Sequence, residues 1–443
     1  MPTDVASAGR PARRTSPKRA ATAAFFGSVI EYYDLVAYGT AAALVFGDLF
    51  FKGVTSHVAL VLSFATFAAG YVARPLGGLL FGYIGDKIGR RTSVLLTIAL
   101  MGGATVLMGL LPTYSSVGAL APILLVLLRI CQGLAVGGEL GGAVLISVEH
   151  APAHRRGFFG SFSTAGAQAG TLLATAVFSL VTLMPSDDFS SWGWRLPFLG
   201  SAVIVLVGIL IRYGLEETPD FEESKASGRV RAPLREAFTK HPGKIVAITL
   251  VMAGMMSIWY VITVYSLSYA TGSAGIGKTS MLWIIAAANL AIVVMNPVWG
   301  ALSDRVGRSK LITVGLLLEG ALLFLYFTAV DSGSVGFVLV AMLLVAGVGH
   351  AMVNGIFPAF IAESLPTEVR YTAGSFGMQM AGLIAGFAPL VAVSLEKSPL
   401  GVFTIAIACF AFCLLGGAAA STVLRDRRRT GAPTEDPQSV LAG

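Results

Sequence analysis

The sequence predicts an all-α polytopic membrane protein: twelve transmembrane helices in two parallel six-helix repeats, with both termini cytoplasmic. Three observations predict this class: the overall composition, twelve apolar stretches of spanning length, and a Lys/Arg distribution that alternates between the connections. Of 443 residues, 55% are hydrophobic and only 12% charged. Soluble domains carry about 25% charged residues, so a water-facing surface here would have half its usual charge. The same hydrophobicity excludes a disordered chain. Lipid is the solvent that suits such a surface.

Each span needs roughly 20 apolar residues to cross the hydrocarbon. Twelve such stretches fall at about 22–51, 57–82, 92–112, 118–147, 157–184, 194–213, 244–271, 279–302, 311–330, 335–362, 371–395 and 400–424. They divide the chain into a basic N-terminal arm (1–21), a six-helix unit (22–213), a hydrophilic central loop (214–243), a second six-helix unit (244–424) and a tail (425–443). The first 20 residues are polar and basic without an apolar core, so no cleavable signal peptide is expected.

The net charge of +7 invites a nucleic-acid reading, which the placement of the charges removes. Twenty-five of the 31 Lys and Arg residues fall on the face that holds the termini, and only Lys52, Lys278 and Lys397 on the other. By the positive-inside rule the termini face the cytoplasm, in a plasma membrane. Cys131, Cys409 and Cys413 lie in apolar runs, and the last two are one helical turn apart, which favours packing over a disulfide. The sequence holds no His/Cys metal cluster and no credible nucleophile–base pair, so neither an enzyme nor a bound metal or cofactor is expected.

An internal repeat defines the two halves. Gly82-Tyr-Ile-Gly-Asp86-Lys-Ile-Gly89-Arg90 recurs 218 residues later as Gly300-Ala-Leu-Ser-Asp304-Arg-Val-Gly307-Arg308. Glu149, followed by Pro152 and Arg156, recurs more loosely 214 residues on as Glu363, Pro366 and Arg370. Both copies of each motif sit on the same face, so the repeats are parallel. Glycine permits a tight turn and close helix approach, and Asp86 and Asp304 can accept hydrogen bonds from a neighbouring helix terminus or an arginine. We expect these loops, with Glu149/Arg156 and Glu363/Arg370, to latch the cytoplasmic side and take no part in substrate contact; for each arginine the alternative is a topology signal alone.

At these residues the chain resembles the major facilitator superfamily, whose signature after spans 2 and 8 reads G-x-x-x-D-(R/K)-x-G-R. The resemblance covers about 22–424, and further phrases are similar to its metabolite:proton symporter branch: Glu31-Tyr-Tyr-Asp34, Ala73-Arg74-Pro75-Leu-Gly-Gly, and Arg129-Ile-Cys-Gln132-Gly133 through Gly137-Gly138-Glu139. That branch carries organic acids such as 2-oxoglutarate, citrate and shikimate, and zwitterions such as proline and betaine. The resemblance implies proton-coupled uptake of such a metabolite by alternating access, with the proton as coupling ion. A proton-antiport exporter and a substrate-sensing transceptor are the alternatives. A monomer surrounded by lipid is expected, with neither ATP nor nucleic acid as partner.

A charge inside a membrane helix costs about 2.5–3.5 kcal/mol on insertion scales and therefore needs a partner or a purpose. The first half places Glu31 and Asp34 in span 1, Arg74 in span 2, and Arg129 and Glu139 in span 4. Helical spacing puts Gly27, Glu31, Asp34 and Tyr38 on one stripe, and Arg129, Gln132, Val136 and Glu139 on another. Three carboxylates face two guanidiniums, and an acid short of cations takes up a proton to neutralise itself. Glu31 or Asp34 is the expected proton carrier, with Glu139 third; static ion pairs between the spans are the alternative. Arg129 would hold a substrate carboxylate or serve as counter-ion, and Arg74 would do the same or brace the nearby loop.

The second half is poorer in charge. Glu319 in span 9 stands nearly alone, and because span 9 is peripheral in the family, it is expected to be a lipid-shielded packing contact. Gln168, Trp259, Tyr265, Asn289, His350, Asn354 and Gln379 complete the candidates for substrate contact, with Tyr260 beside them. His350 either titrates or packs through a hydrogen bond, Tyr265 contacts substrate or joins an aromatic belt, and Asn289 and Gln379 contact ligand or another helix. Gly133/Gly137, Gly166/Gly170 and Gly382/Gly386 are small-x-x-x-small surfaces for close packing. Gly272 to Thr279 satisfies the Walker A pattern, but it links two membrane helices where a phosphate loop requires a strand before its helix.

Overall fold

The computed structural model describes residues 17–88, 90–139, 147–148, 151–213 and 238–429. Twelve long helices are present among them. In the first half, α1 (Pro17–Ala41) continues through a π-helical turn (Ala42–Phe46) to Phe50. It is followed by α2 (Ser56–Ile88), α3 (Arg90–Gly109), α4 (Leu120–Glu139), α5 (Arg156–Val181) and α6 (Leu196–Tyr213). In the second half, α7 (Pro242–Tyr260) passes through a second π turn (Val261–Tyr265) into Ser266–Gly272. Then come α8 (Lys278–Val306), α9 (Arg308–Asp331) and α10 (Val335–Leu344), the last continuing through a third π turn (Val345–His350) into Ala351–Ser364. The series closes with α11 (Thr367–Gly386, resumed as Ala388–Leu395) and α12 (Val402–Arg429).

Ten of these helices are long and apolar enough to cross a membrane, and α3 and α6 supply the shorter apolar stretches Leu96–Gly109 and Gly193–Val207. Leu76, Leu110, Val203, Val294 and Leu415 are all exposed on the outside of the bundle, where lipid rather than water accommodates them. Pro75, Pro297 and Pro358 sit inside helices; in a bundle, neighbouring helices can satisfy the carbonyls that these prolines free.

Apolar burial drives helices together in water but not in lipid, so close packing has to come from small residues. A methyl group added at Gly133 or Gly137 of α4 would strike the carbonyls of Gly70 or Arg74 in α2. Gly166 and Gly170 of α5 press in the same way on Phe25 and Val29 of α1. The glycine spacing therefore marks real helix contacts in the first half. The two halves meet along α5–α8, where Gly157 and Gly300 touch backbone to backbone, and along α2–α11, where Gly386 packs against the Tyr71 ring.

Candidate functional site

The first-half site begins on α1. Asp34 is 1% exposed, and neither of its carboxylate oxygens has a hydrogen-bond partner among the described residues. Its nearest polar neighbours are the hydroxyls of Thr105 on α3 and Ser201 on α6, which donate to carbonyls of their own helices, Met101 at 3.0 Å and Phe198 at 2.7 Å. Thr105 accepts the side-chain amide of Gln132 at 2.9 Å, and Arg129 donates to the carbonyl oxygen of the same Gln132 side chain. A polar line therefore runs from Asp34 through Thr105 and Gln132 to Arg129. Its four members come from three helices, α1, α3 and α4.

Arg129 is 1% exposed and reaches the Phe67 carbonyl at 3.4 Å. Its guanidinium also lies over the Tyr38 ring, 4.2 Å from the centroid, and Tyr38 is held by a 2.6 Å hydrogen bond to Thr66. Tyr38, a candidate for substrate contact, is fully buried beneath Arg129 and acts first as its platform. Arg74 rests similarly on Tyr71, 4.0 Å from the ring centroid and against Gly382 of α11. Glu31 is half-buried and has partners; Tyr32 beside it lies within electrostatic reach of Glu31, Arg74 and Tyr71. Glu139 lies outside the described side chains.

Between the halves, the Tyr71 hydroxyl donates to Tyr260 of α7 at 2.5 Å, and Gln379 of α11 donates to the Gly137 carbonyl of α4 at 3.4 Å. Gln379 thus makes an interhelix bond. Tyr71 is three residues from Arg74 on the same helical face, a relationship open to sequence reading, whereas its partner on α7 is not. Gln168 of α5 is 5% exposed with its carbonyl oxygen unpartnered.

In the second half, Glu319 is the lipid-shielded packing contact expected of it, and its partner is His350. It is 0% exposed and turned inward, its Oε1 2.8 Å from His350 Nδ1 on α10. The physical reason is close packing: Gly349 seats against the Glu319 backbone, which fixes the rotation of α9 so that its acid meets the imidazole. His350 also stacks on Trp259 of α7, with ring centroids 4.4 Å apart and planes 26° from parallel. Asn354, one turn further along α10, is buried on the same side. Asn289 donates to Ile285 of its own helix at 2.8 Å, leaving its carbonyl oxygen unpartnered. Tyr265 stacks on Tyr269 and donates to Glu396 just past α11, at 3.0 Å.

The second motif loop forms a contact across the seam. Asp304, at the end of α8, accepts the backbone N–H groups of Gly157 at 2.9 Å and Phe158 at 3.1 Å, in the first turn of α5. Free N–H groups and the helix dipole both favour a carboxylate there. Arg308 completes the cluster, 2.6 Å from Asp304 and 3.2 Å from Glu363. Glu363 therefore turns to Arg308, while Arg370, its expected partner, donates to the Leu365 carbonyl at 3.4 Å. Gly307 has φ 105°, which a residue with a side chain adopts only under strain, and this lets Arg308 fold back on Asp304. Arg156 opens α5 beside this contact. Of the first copy, Gly82, Asp86, Gly89 and Arg90, together with Glu149, lie outside the described side chains. The Walker-like stretch joins two helices, and its Thr279 lies 3.1 Å from Thr182 of α5.

The profile of the Major Facilitator Superfamily matches residues 24–389 and 246–441. The chain belongs to that superfamily. Among relatives of this superfamily, the shikimate transporter of Escherichia coli K12 is 37% identical over 418 residues, covering 93% of this chain and 95% of the relative. A glycine betaine/proline/ectoine/pipecolic acid transporter, OusA of Dickeya dadantii, is 34% identical over 411 residues, covering 90% and 81%. Among solved structures, a D-xylose–proton symporter superposes with a TM-score of 0.71 at 20% identity, over 91% of this chain and 96% of the other, which shows the shared fold. This facilitator is thus a multi-pass membrane transporter of metabolites and not an enzyme.

Proposed function

We propose that this protein is a proton-coupled symporter that takes up a small organic acid across the cytoplasmic membrane by alternating access, with its Lys/Arg-rich face inside. One observation carries the reading: Asp34 is a buried carboxylate with no counter-ion among the described residues, two side chains away from the buried Arg129. An isolated buried charge is costly, so Asp34 is neutral when the site is sealed and ionises when the site meets water. Arg129 remains charged and binds a carboxylate of the substrate. Substrate binding draws Arg129 from Gln132, and the Gln132–Thr105 pair transmits that change to Asp34. Proton and substrate are thereby linked through side chains in contact. Asn354 and Trp259, buried in the second half, supply the neutral part of the substrate site. The acid named by the E. coli shikimate transporter fits this chemistry, and the betaine/proline relative marks the zwitterionic alternative.

The test is uptake into proteoliposomes of a labelled panel of shikimate, 2-oxoglutarate, citrate, short monocarboxylates, betaine and proline, driven by an inward proton gradient. Accumulation of one acid, abolished by a protonophore and by Asp34→Asn, is the expected result. Accumulation that survives both treatments, or outward movement against the substrate gradient, overturns the reading in favour of uniport or export.

A further inference from the structure

The proposed mechanism leaves unused Glu319, the described acid at the middle of a second-half span. We infer that Glu319 and His350 form a second proton-binding site, separate from Asp34, whose occupancy is felt by Trp259. The pair is sealed: Glu319 is 0% and His350 2% exposed, on adjacent helices, with Nδ1 and Oε1 2.8 Å apart. Glu319 Oε2 is buried without a hydrogen-bond partner, so the carboxylate has one oxygen answered and one not.

Charge counting shows why this arrangement binds a proton. A neutral imidazole that donates its Nδ1 proton to a carboxylate leaves one uncompensated negative charge in the bundle. One further proton, on imidazole Nε2 or on the carboxyl, makes the pair neutral overall, and low-dielectric surroundings favour that state. No described cation supplies the compensation instead. From α12 the titratable groups facing Glu319 are the thiols Cys409 and Cys413, from α10 His350 itself, and from α7 the uncharged Trp259. A packed α8 presents Trp299, which donates to the Gly347 carbonyl at 2.8 Å, within the π turn that ends at His350.

The pair is also placed to be read. Trp259 stacks on His350 and is followed by Tyr260, which holds Tyr71 of the first half. An imidazolium lies more strongly on an indole face than a neutral imidazole does, through the cation–π attraction. A proton held on Nε2 therefore tightens α10 on α7, at the base of the link between the halves. Two π turns, Val261–Tyr265 and Val345–His350, adjoin these residues. Such turns interrupt regular helical bonding and recur at functional sites.

This extends the proton-coupling reading to a second proton, but its test needs neither substrate nor gradient, so the two can fail separately. Purified protein in lipid nanodiscs is titrated between about pH 5 and 8, the range in which imidazoles change charge. Tryptophan emission and the infrared carboxyl band are recorded together. The Trp259 contribution is the difference between the parent and Trp259→Phe, and protonated imidazole quenches a stacked indole. The expected result is a one-proton step in Trp259 emission or in the carboxyl band, lost in both His350→Gln and Glu319→Gln and retained in Asp34→Asn. Glutamine keeps a hydrogen-bonding side chain at either position, and either variant that folds carries the test alone. A step that persists in His350→Gln and Glu319→Gln, or no step at all, overturns the inference and leaves a static hydrogen bond.

Discussion

Arg129 lies 4.2 Å above the centroid of the Tyr38 ring and directs its guanidinium to the Gln132 side chain and the Phe67 carbonyl. This buried cation is therefore held by an aromatic face and an amide, and a substrate carboxylate can approach it without first displacing a described acid. The tyrosine and the arginine come from α1 and α4. Any relative movement of those helices changes the strength of the cation site.

The stacking itself can be tested. A buried cation–π contact contributes up to about 2 kcal/mol. Tyr38→Phe should keep it and lose only the bond to Thr66, while Tyr38→Ala should weaken substrate affinity by roughly 10-fold or more, with the loss in KM. Uptake kinetics of the transported acid check this, and equal effects of the two substitutions would show that the hydroxyl and not the ring face matters.

Asp34→Asn should uncouple transport without abolishing it. Asparagine keeps the size of the side chain but carries no titrating proton. Exchange of labelled for unlabelled substrate across a proteoliposome membrane should persist, while accumulation driven by a proton gradient should disappear. Thr105→Val, which removes the middle of the line to Arg129, is expected to impair driven accumulation more than exchange.

Asp304→Asn should open the face carrying the motif loops. The aspartate answers two N–H groups of α5 and the Arg308 guanidinium. Hydrogen bonds to a charged group are worth about 1.5–3 kcal/mol, so the population open on that face should rise roughly 10-fold or more. Distances between spin labels on α5 and α8 measure it. An unchanged distribution would mean that the Gly157–Gly300 packing closes the seam unaided.

Gly137→Val should destabilise the first half, because the new side chain would enter the Arg74 carbonyl of α2. Overpacking costs about 1–3 kcal/mol, which a lower melting temperature in detergent reports. Gly103→Val, which meets open space on α3, is the matched control and should leave the melting temperature unchanged.

The helices and their order were legible in the sequence because span length and hydropathy are set between each segment and lipid, one segment at a time. The same holds for the Lys/Arg asymmetry and for the repeated loops at Asp86 and Asp304. Spacing alone also put Asp34 with Tyr38 and Arg129 with Gln132 on shared helical faces, since neighbours at three and four residues are fixed by the helix itself. What lies opposite each face was decided only by the tertiary structure. Arg129 could be read as the counter-ion of Asp34, yet Gln132 and Thr105 stand between them. Glu319 could be read as a lipid-shielded packing contact, yet that His350 is its partner is decided by the packing of Gly349 on its backbone. Glu363 meets Arg308, 55 residues away, rather than the arginine of its own motif. Each of these outcomes turns on the rotation of one helix against another, and that rotation is set by where small residues let backbones touch, which no single segment specifies.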